Sequence, residues 1–173
     1  MGDTATIRPL SVADLAAYKL LRDEMLLAHP EAFTSDAEAE QRKEPIDYLH
    51  RLGIERHDGG QFLLGAWRGE RLVGALGCER DPRLKVRHTG HVIGLMVRPQ
   101  ARRRGVGRAL LDTCIATARR SGLEQLTLTV TAGNRAAIDL YLASGFVACG
   151  TLPRAIRLGP GEYHDKMQMA LTL

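Results

Sequence analysis

The feature that most constrains this chain is a strand-forming run joined at once to a turn rich in arginine and glycine, and then to a helix. Residues 91–97 are mostly apolar or branched, and Pro99 ends the run because proline supplies no backbone N–H. Residues 105–121 have apolar side chains at helical spacing and stop at Gly122. This order of strand, turn and helix is typical of an α/β fold.

The turn has the composition of an anion-binding site. Residues 98–108 contain five arginines and no acidic side chain. Gly105 and Gly107 allow a ligand to approach the backbone without meeting a Cβ atom. The first N–H groups of the following helix have no partner within the helix and lie at the positive end of its dipole. The sequence therefore predicts a diphosphate-binding site here, although a solvated basic helix start would have the same composition.

Two better-known phosphate-binding motifs do not match. A P-loop requires Lys followed by Ser or Thr after its glycines, and neither follows Gly107. A dinucleotide fingerprint requires a third small residue where Leu110 stands, and an acidic residue where Val130 and Thr131 end the next predicted strand.

The excess positive charge of the chain lies in the same turn. The sequence has 24 Lys and Arg against 20 Asp and Glu, a net charge of +4, while residues 98–108 carry +5 and residues 1–60 carry −5. A basic protein often binds nucleic acid, but there is no helix-turn-helix pattern and only 5% of the residues are aromatic. We therefore expect no nucleic-acid partner.

Apolar periodicity assigns the remaining elements. The predicted strands are 5–9, 62–67, 71–80, 91–97, 123–130, 146–152 and 163–171. The predicted helices are one capped by Ser11 and running to about residue 28, a region over 36–56 interrupted by Pro45, 105–121, and one from the cap Asn134 to 144. The order βααβββαβαββ predicts one α/β domain over residues 1–173, with a mixed sheet flanked by helices.

Composition and the cysteines limit the class of protein further. The chain is 45% hydrophobic and 25% charged, which is typical of a folded globular domain. Cys78, Cys114 and Cys149 are odd in number and lack metal-binding spacing, which predicts a reducing compartment without disulfides or a zinc site. No apolar run is long enough to cross a bilayer and no signal peptide is visible, so we expect a cytoplasmic protein without a membrane partner. Residues 1–6 fit an N-myristoylation pattern, but no polybasic segment follows to supply a second membrane signal.

Two blocks make the chain resemble the GNAT family of N-acetyltransferases. The first, which follows a strand and opens a helix, is similar to the family's acyl-CoA signature: Arg102-x-x-Gly105-x-Gly107. The second is similar to the family's later helix and strand: Asn134-x-x-Ala137-x-x-x-Tyr141-x-x-x-Gly145-Phe146. Residues 163–171 resemble its last strand. The resemblance covers nearly the whole chain and implies a mostly antiparallel sheet, with acetyl-CoA as the acyl donor and no metal.

The resemblance also implies where acetyl-CoA would bind. In the family, the strand before the signature diverges from the next strand, and the pantetheine arm pairs with it as an additional strand. The N–H of Leu95 would polarise the acetyl carbonyl, Met96 and Val97 would hold the arm, and the N–H groups of residues 103–108 would hold the diphosphate. The implied cofactor-binding residues are Leu95, Met96, Val97, Arg102, Arg103, Arg104, Gly105, Val106, Gly107, Arg108 and Asn134.

Catalytic roles follow from the same resemblance. Tyr141 would be the general acid that protonates the departing thiolate, although it could instead be a core aromatic residue at helical spacing. His91 falls where the histone-modifying branch of the family has its catalytic glutamate, and an imidazole with an ordinary pKa of about 6.5 could accept the amine proton directly or through water. Strand alternation puts His91 on the face of Leu95 and Val97, where it could equally be half-buried.

Three other residues bear on the acceptor side. Glu79 and Tyr163 are further candidates near the place where an amine would enter. Thr129 stands where branches of the family that acetylate ribosomal-protein amino termini tend to have a glutamate, which disfavours that substrate.

The resulting prediction is an acetyl-CoA-dependent N-acetyltransferase acting on a primary amine of a small molecule or peptide. Transfer would be direct, in a ternary complex, because no cysteine lies in a motif that suggests an acyl-enzyme. The charge of −5 over residues 1–60 favours a cationic acceptor such as a polyamine or aminoglycoside, although solvated helices also explain it. The alternatives are a non-catalytic acyl-CoA-binding regulatory domain and a protein or peptide amino-terminal acetyltransferase. Either a monomer or a homodimer is expected.

Overall fold

A computed structural model describes residues 5–173 of the chain, so residues 1–4 of the myristoylation pattern lie outside the described part. The strands are β1 (Thr6–Pro9), β2 (Phe62–Arg68), β3 (Arg71–Arg80), β4 (Thr89–Val97), β5 (Gln125–Thr131), β6 (Val147–Gly159) and β7 (Glu162–Thr172). The α-helices are α1 (Leu15–Ala28), α2 (Ala37–Gln41), α3 (Val106–Arg120) and α4 (Arg135–Ala143). The predicted order βααβββαβαββ is confirmed.

The seven strands form one mixed sheet in the order β1-β2-β3-β4-β5-β7-β6. Every neighbouring pair is antiparallel except β4 and β5, which run parallel and are connected through α3. The prediction of a mostly antiparallel sheet flanked by helices is therefore confirmed. The one parallel pair lies in the middle of the sheet, beside the arginine-rich turn.

The helical region predicted over 36–56 is divided at Pro45, as expected, but its helices cover fewer residues than predicted. The structure has α2, which is only five residues long, and a separate 3-10 helix, Pro45–Leu52. Proline supplies no N–H and pushes the residue before it out of helical geometry, and Glu44 is accordingly extended, with φ −87° and ψ 158°. The 3-10 helix ends at Gly53, whose φ of +67° is accessible to glycine at little strain.

β6 is longer than the predicted 146–152, because the strand continues through a proline. Its backbone is irregular where Arg154 has a φ of +54°, and the Arg154 N–H donates to the Asp165 carboxylate at 2.8 Å. A proline is compatible with a strand at the edge of a sheet, where one side of the backbone has no strand to pair with. β6 is such an edge strand.

Two apolar cores cover the two faces of the sheet. The first lies under α3 and α4 and includes Val92, Leu110 and Phe146. The second lies under α1 and the 3-10 helix and includes Tyr18 and Met96. The sheet thus separates an α3/α4 face from an α1 face, and any site reached from both faces must pass through the sheet.

Cys78 and Cys114 are buried, Cys149 is exposed, and none of the three forms a disulfide. Within residues 5–173, no three His, Cys, Asp or Glu side chains gather closely enough to hold a metal ion. None of the helices in this part of the chain is both long and apolar enough to span a membrane.

Candidate active site

β4 and β5 separate in the middle of the sheet. They pair only through Thr89–Gln125, Gly90–Leu126 and His91–Thr127, although β4 continues to Val97. β5 meanwhile stays paired with β7 along its whole length. The edge of β4 beyond His91 therefore faces a gap, and an extended ligand could pair with its backbone there as another strand would.

A β-bulge lies in the part of β4 that pairs with β3 but no longer with β5. The register with β3 pairs Ile93 with Gly77 and then Met96 with Ala75, so two residues of β4 stand opposite one of β3. One of these two residues is Gly94, whose φ is +56°. A bulge of this kind bends the strand and turns the following side chains to the other face.

The bulge makes one sequence prediction wrong. Strict alternation put His91 on the face of Leu95 and Val97, but both of those residues pack with Val92 against the first core. His91, next to Val92, is on the opposite, α1 face. There 46% of its side chain is exposed.

The arginine-rich turn presents a run of free N–H groups. The Arg102 N–H donates to Pro99 O at 3.2 Å, and the next backbone hydrogen bond along the chain is from Ala109 N to Gly105 O at 2.9 Å. The six N–H groups of residues 103–108 between them have no acceptor among the described residues. Consecutive amides at a helix start form a concave site for an anion. The donors present therefore fit a diphosphate.

Two positive φ angles shape this concave site. Gly105 has a φ of +76°, and Arg103 has a φ of +58°, which is uncommon for a residue with a side chain. A Cβ added at Gly105 would have no atom within 4 Å, so the space above the turn is open. The conformation of Arg103 was not visible in the sequence, because arginine carries no signal for a left-handed backbone.

The arginine side chains are less available than the composition suggested. Three of the five contact other protein groups. Arg98 donates to Leu72 O at 2.9 Å and pairs with Glu24, while Arg102 donates to Val97 O at 3.1 Å and contacts His29 at 2.8 Å. Arg108 pairs with Asp112 at 2.9 Å. Arg103 and Arg104 are exposed and contact no acceptor in residues 5–173. The backbone, rather than a cluster of five free guanidinium groups, is the main feature of the site.

Asn134 is the N-cap of α4, and Tyr141 lies seven residues later within that helix. The Asn134 side-chain oxygen accepts from Ala137 N at 3.2 Å and caps the helix. Tyr141 is only 7% exposed, its ring packs edge-on against Phe146 at 5.8 Å, and its hydroxyl has no hydrogen-bond partner within the described chain. Burial, the larger influence, and the neighbouring Cys114 raise the pKa of Tyr141, so its hydroxyl keeps its proton at neutral pH.

His91 lies in a polar row across three strands. It stands opposite Glu79 on β3 and Thr127 on β5. Its Nδ1 is 2.6 Å from Thr127 Oγ1 and its Nε2 is 3.6 Å from Asp81 Oδ2. Hydrogen bonds from Arg83, outweighing the effect of burial, hold the pKa of Asp81 well below its usual range, so an anion faces the imidazole.

Neither Thr129 nor Tyr163, the remaining acceptor-side candidate, joins this row. Thr129 is exposed in the part of β5 that has left β4, opposite Gln168 of β7. Tyr163 lies beyond the part of β7 that pairs with β5, under the guanidinium of Arg154 at 4.0 Å.

The sequence analysis missed the side chains that cover the bulge. A Cβ built on Gly94 would lie 3.9 Å from Arg22 Nη1 and 3.9 Å from Arg51 Nη1. Arg22 follows Tyr18 by four residues and precedes Met25 by three, so it lies within the buried face of α1. A charged residue inside an apolar helical stripe is the signal that could have identified it.

Comparisons with known proteins agree with this geometry. The sequence model of the acetyltransferase (GNAT) family matches residues 18–146. Mycothiol acetyltransferase of Geodermatophilus obscurus is 36% identical over 121 residues, which are 69% of this chain but only 36% of that protein. Ribosomal-protein-alanine N-acetyltransferase from Brucella melitensis superposes with a TM-score of 0.79 at 27% identity, over 97% of this chain and 99% of that one. YncA from Salmonella typhimurium, solved with its cofactor acetyl-CoA, has a TM-score of 0.84 at 23% identity, over 98% and 94% of the two chains, and shows the shared fold.

Proposed function

Because this chain belongs to the acetyltransferase (GNAT) family, we propose that residues 1–173 act as one N-acetyltransferase domain that uses acetyl-CoA. The acceptor is a primary amine of a small molecule or peptide, and transfer is direct within a ternary complex. The protein acts in the cytoplasm, as a monomer or homodimer, without nucleic acid or membrane as a partner.

One observation carries the proposal: the open edge of β4 leads directly into the turn of free N–H groups. The open edge runs from His91 to Val97, and the free N–H groups follow at residues 103–108, so a single extended ligand can contact both. Acetyl-CoA has an amide-containing arm that pairs with a strand edge, a diphosphate that suits the turn, and an activated acetyl thioester at its end. Leu95, Met96 and Val97 would bind the arm through their backbone, since the Met96 side chain is buried in the second core.

The two catalytic candidates approach the gap from opposite faces of the sheet. Tyr141 belongs to the α3/α4 face, and its protonated hydroxyl would donate to the thiolate sulfur as the C–S bond breaks. His91 lies on the α1 face, where it would take the proton that the amine loses as the new C–N bond forms. The separation of β4 from β5 supports this arrangement, because it opens a path between the two faces.

The general base is tested by the pH dependence of kcat/KM in His91→Gln and Glu79→Gln. If His91 is the base, its replacement removes the acidic limb of the profile and Glu79→Gln does not. The reverse result assigns the role to Glu79, its partner in the register.

The function itself is tested by calorimetric binding of acetyl-CoA, followed by a thiol-release screen over classes of amines. Binding together with amine-dependent CoA release supports the enzyme. Binding without release from any amine supports the non-catalytic regulatory domain instead, and in that case Tyr141→Phe is silent.

A peptide amino terminus is a second candidate acceptor. The likeness to the Brucella ribosomal-protein-alanine acetyltransferase favours it, while Thr129 at the position where glutamate is expected disfavours it. Including short peptides with free amino termini in the same screen decides between the two classes.

A further inference from the structure

We propose that Arg22 and Arg51 form an anion-binding site over the β4 bulge, and that the acceptor amine therefore carries a carboxylate or a similar small oxyanion. This inference rests on the proposed function, because it places the acceptor where the acetyl group would be transferred. It assigns a chemical class to the acceptor, which the fold alone does not.

The two guanidinium groups converge on one point. Each Nη1 lies 3.9 Å from the position that a Cβ of Gly94 would occupy, so the two nitrogens are at most twice that distance apart. Gly94 belongs to the bulge beside Leu95, whose N–H is the candidate donor to the acetyl carbonyl. A glycine at this point leaves the space in front of both guanidinium groups free of a side chain.

Arg51 has donors that the protein does not use. Its Nη1 donates to Tyr18 Oη at 2.8 Å, while its Nε is buried without a partner. No ion pair within residues 5–173 includes Arg51. A buried donor without an acceptor destabilises a protein unless something binds it, so this arginine has capacity for an anionic ligand.

Arg22 is held in place from the other side. Its Nε donates to Glu40 Oε2 at 2.7 Å and its Nη2 donates to Ser35 Oγ at 2.8 Å, which leaves Nη1 directed at Gly94 without an acceptor in the described chain. The side chain is only 3% exposed. A planar guanidinium fixed at two of its nitrogens presents the third in one orientation, which suits recognition of an oxyanion.

The nearby carboxylate cannot neutralise both arginines. Glu40 accepts from Arg22, from Lys43, and from Tyr48 Oη at 2.7 Å. Burial acts to raise the pKa of Glu40, but the hydrogen bonds from Lys43, Arg22 and Tyr48 outweigh it and lower the pKa to about 2. This single negative charge stands against three cations, so the cluster keeps a positive excess beside the bulge.

The charge at the bulge is opposite to the charge of the segment that supplies it. Residues 1–60 carry −5, which favoured a cationic acceptor, but half of the twelve acids in this segment are in the following ion pairs. The pairs are Asp14 with Arg8, Asp23 with Lys19, Glu24 with Arg98, Glu38 with Arg42, Glu40 with Arg22 and Lys43, and Asp58 with Arg56. The local arrangement, rather than the sum over the segment, determines which ligand fits.

The first experiment compares amines with and without the anion, and each rate is expressed per concentration of neutral amine, because a carboxamide also lowers the pKa of the α-amino group. Free α-amino acids and their carboxamides are tested as matched pairs for CoA release from acetyl-CoA, at neutral pH and constant ionic strength. We expect at least one amino acid to have a kcat/KM about 10- to 100-fold above that of its amide. Equal rates for acid and amide, including no release from either, overturn the inference.

The second experiment assigns the effect to the arginines. Arg51→Met should raise the KM for the amino acid about 10- to 100-fold, with little change for the amide and none in the Kd for acetyl-CoA. Arg51→Lys should restore part of the loss. Arg42→Met, which removes an exposed arginine paired with Glu38, is the matched control and should behave as wild type. If Arg51→Met changes the KM for the amino acid and the KM for its amide equally, the arginine only stabilises the fold and the anion site is disproved.

Arg22→Lys provides a check that keeps the charge beside Glu40, so that the variant still folds. It should raise the KM for the amino acid and leave the thermal midpoint nearly unchanged. The proposed function and this inference fail in different ways. If acetyl-CoA does not bind at all, the function is wrong. If it binds and the acetyl group goes equally well to amides, only the anion site is wrong.

Discussion

The cofactor side of the candidate site is built mainly from backbone groups, whereas its acceptor side is built from side chains. At the turn over residues 98–108, the groups free to bind a ligand are backbone amides, and three of the five arginine side chains contact the protein itself. At the bulge, the groups that face the ligand are side chains, held by a buried ion pair between Arg22 and Glu40. A site made of backbone depends on local conformation, whereas a site made of side chains depends on distant residues meeting.

This difference predicts which substitutions disable each side. Backbone amides cannot be removed by changing one arginine, but they can be blocked by placing bulk and negative charge in front of them. The acceptor side should instead be sensitive to single charges.

The largest effect is expected from Gly107→Glu. Gly107 is the second residue of α3, and a Cβ added there would be in ordinary van der Waals contact with Leu140 of α4 at 3.4 Å and Val97 of β4 at 3.8 Å, so the backbone tolerates a side chain. The carboxylate would repel the diphosphate, and acetyl-CoA affinity should fall by about 1000-fold or more. Calorimetry measures this, with Gly159→Glu on the β6–β7 hairpin as the matched control. Unchanged affinity would show that the turn does not bind the diphosphate.

The next largest effect is expected from Glu40→Gln, which leaves Arg22 buried without its counter-charge. The free energy of unfolding should fall by about 3 kcal/mol at neutral pH. Because the pKa of folded Glu40 is about 2, below its ordinary 4.5, wild type loses this stabilisation as pH falls from about 4.5 to about 2, and the two proteins should converge there. Chemical denaturation over this pH range measures it, with the exposed Glu38→Gln as control. A constant difference between the proteins down to pH 2 would contradict the assignment.

Tyr141→Phe should lower kcat by about 100-fold, because a general acid typically contributes 100-fold or more. The ring still packs against Phe146, so stability and acetyl-CoA affinity should stay close to wild type. Steady-state kinetics and calorimetry separate the two quantities. An unchanged kcat would leave Tyr141 as a core aromatic residue alone.

The smallest effect is expected from Arg103→Gly. A non-glycine residue at a φ of +58° is strained, so the variant should be more stable by about 0.5 to 1 kcal/mol. Acetyl-CoA affinity should change by less than about 3-fold, because the Arg103 N–H is retained. A fall in affinity of tenfold or more would show that the guanidinium binds phosphate, and the contrast between the two sides would be weaker than the structure indicates.

The same contrast explains what could be predicted from the sequence. The strand, the arginine-rich turn and α3 are contiguous, so apolar periodicity and two glycines were enough to predict these elements and to propose a phosphate site there. The reversal of faces after Gly94 depends on the register with β3, which no local pattern contains. Strict alternation, which ignores this bulge, therefore predicted the wrong face for His91. Arg22 and Arg51 are 29 residues apart and meet only because α1 and the 3-10 helix cover the same face of the sheet.

The gap between β4 and β5 also affects how the free protein behaves. An ordinary sheet has two outer edges, whereas this one has in addition a pair of inner edges that begin where His91 and Thr127 part. Outer edges attract strands of other proteins and lead to aggregation. The gap between β4 and β5 is closed at the end where His91 and Thr127 pair, so it has room for one extended ligand. The sheet can therefore bind a ligand at this inner edge without exposing it to aggregation with other strands. The amides of β4 beyond His91 that point into the gap, rather than toward β3, should exchange with solvent quickly in the free protein and become protected when a ligand completes the sheet.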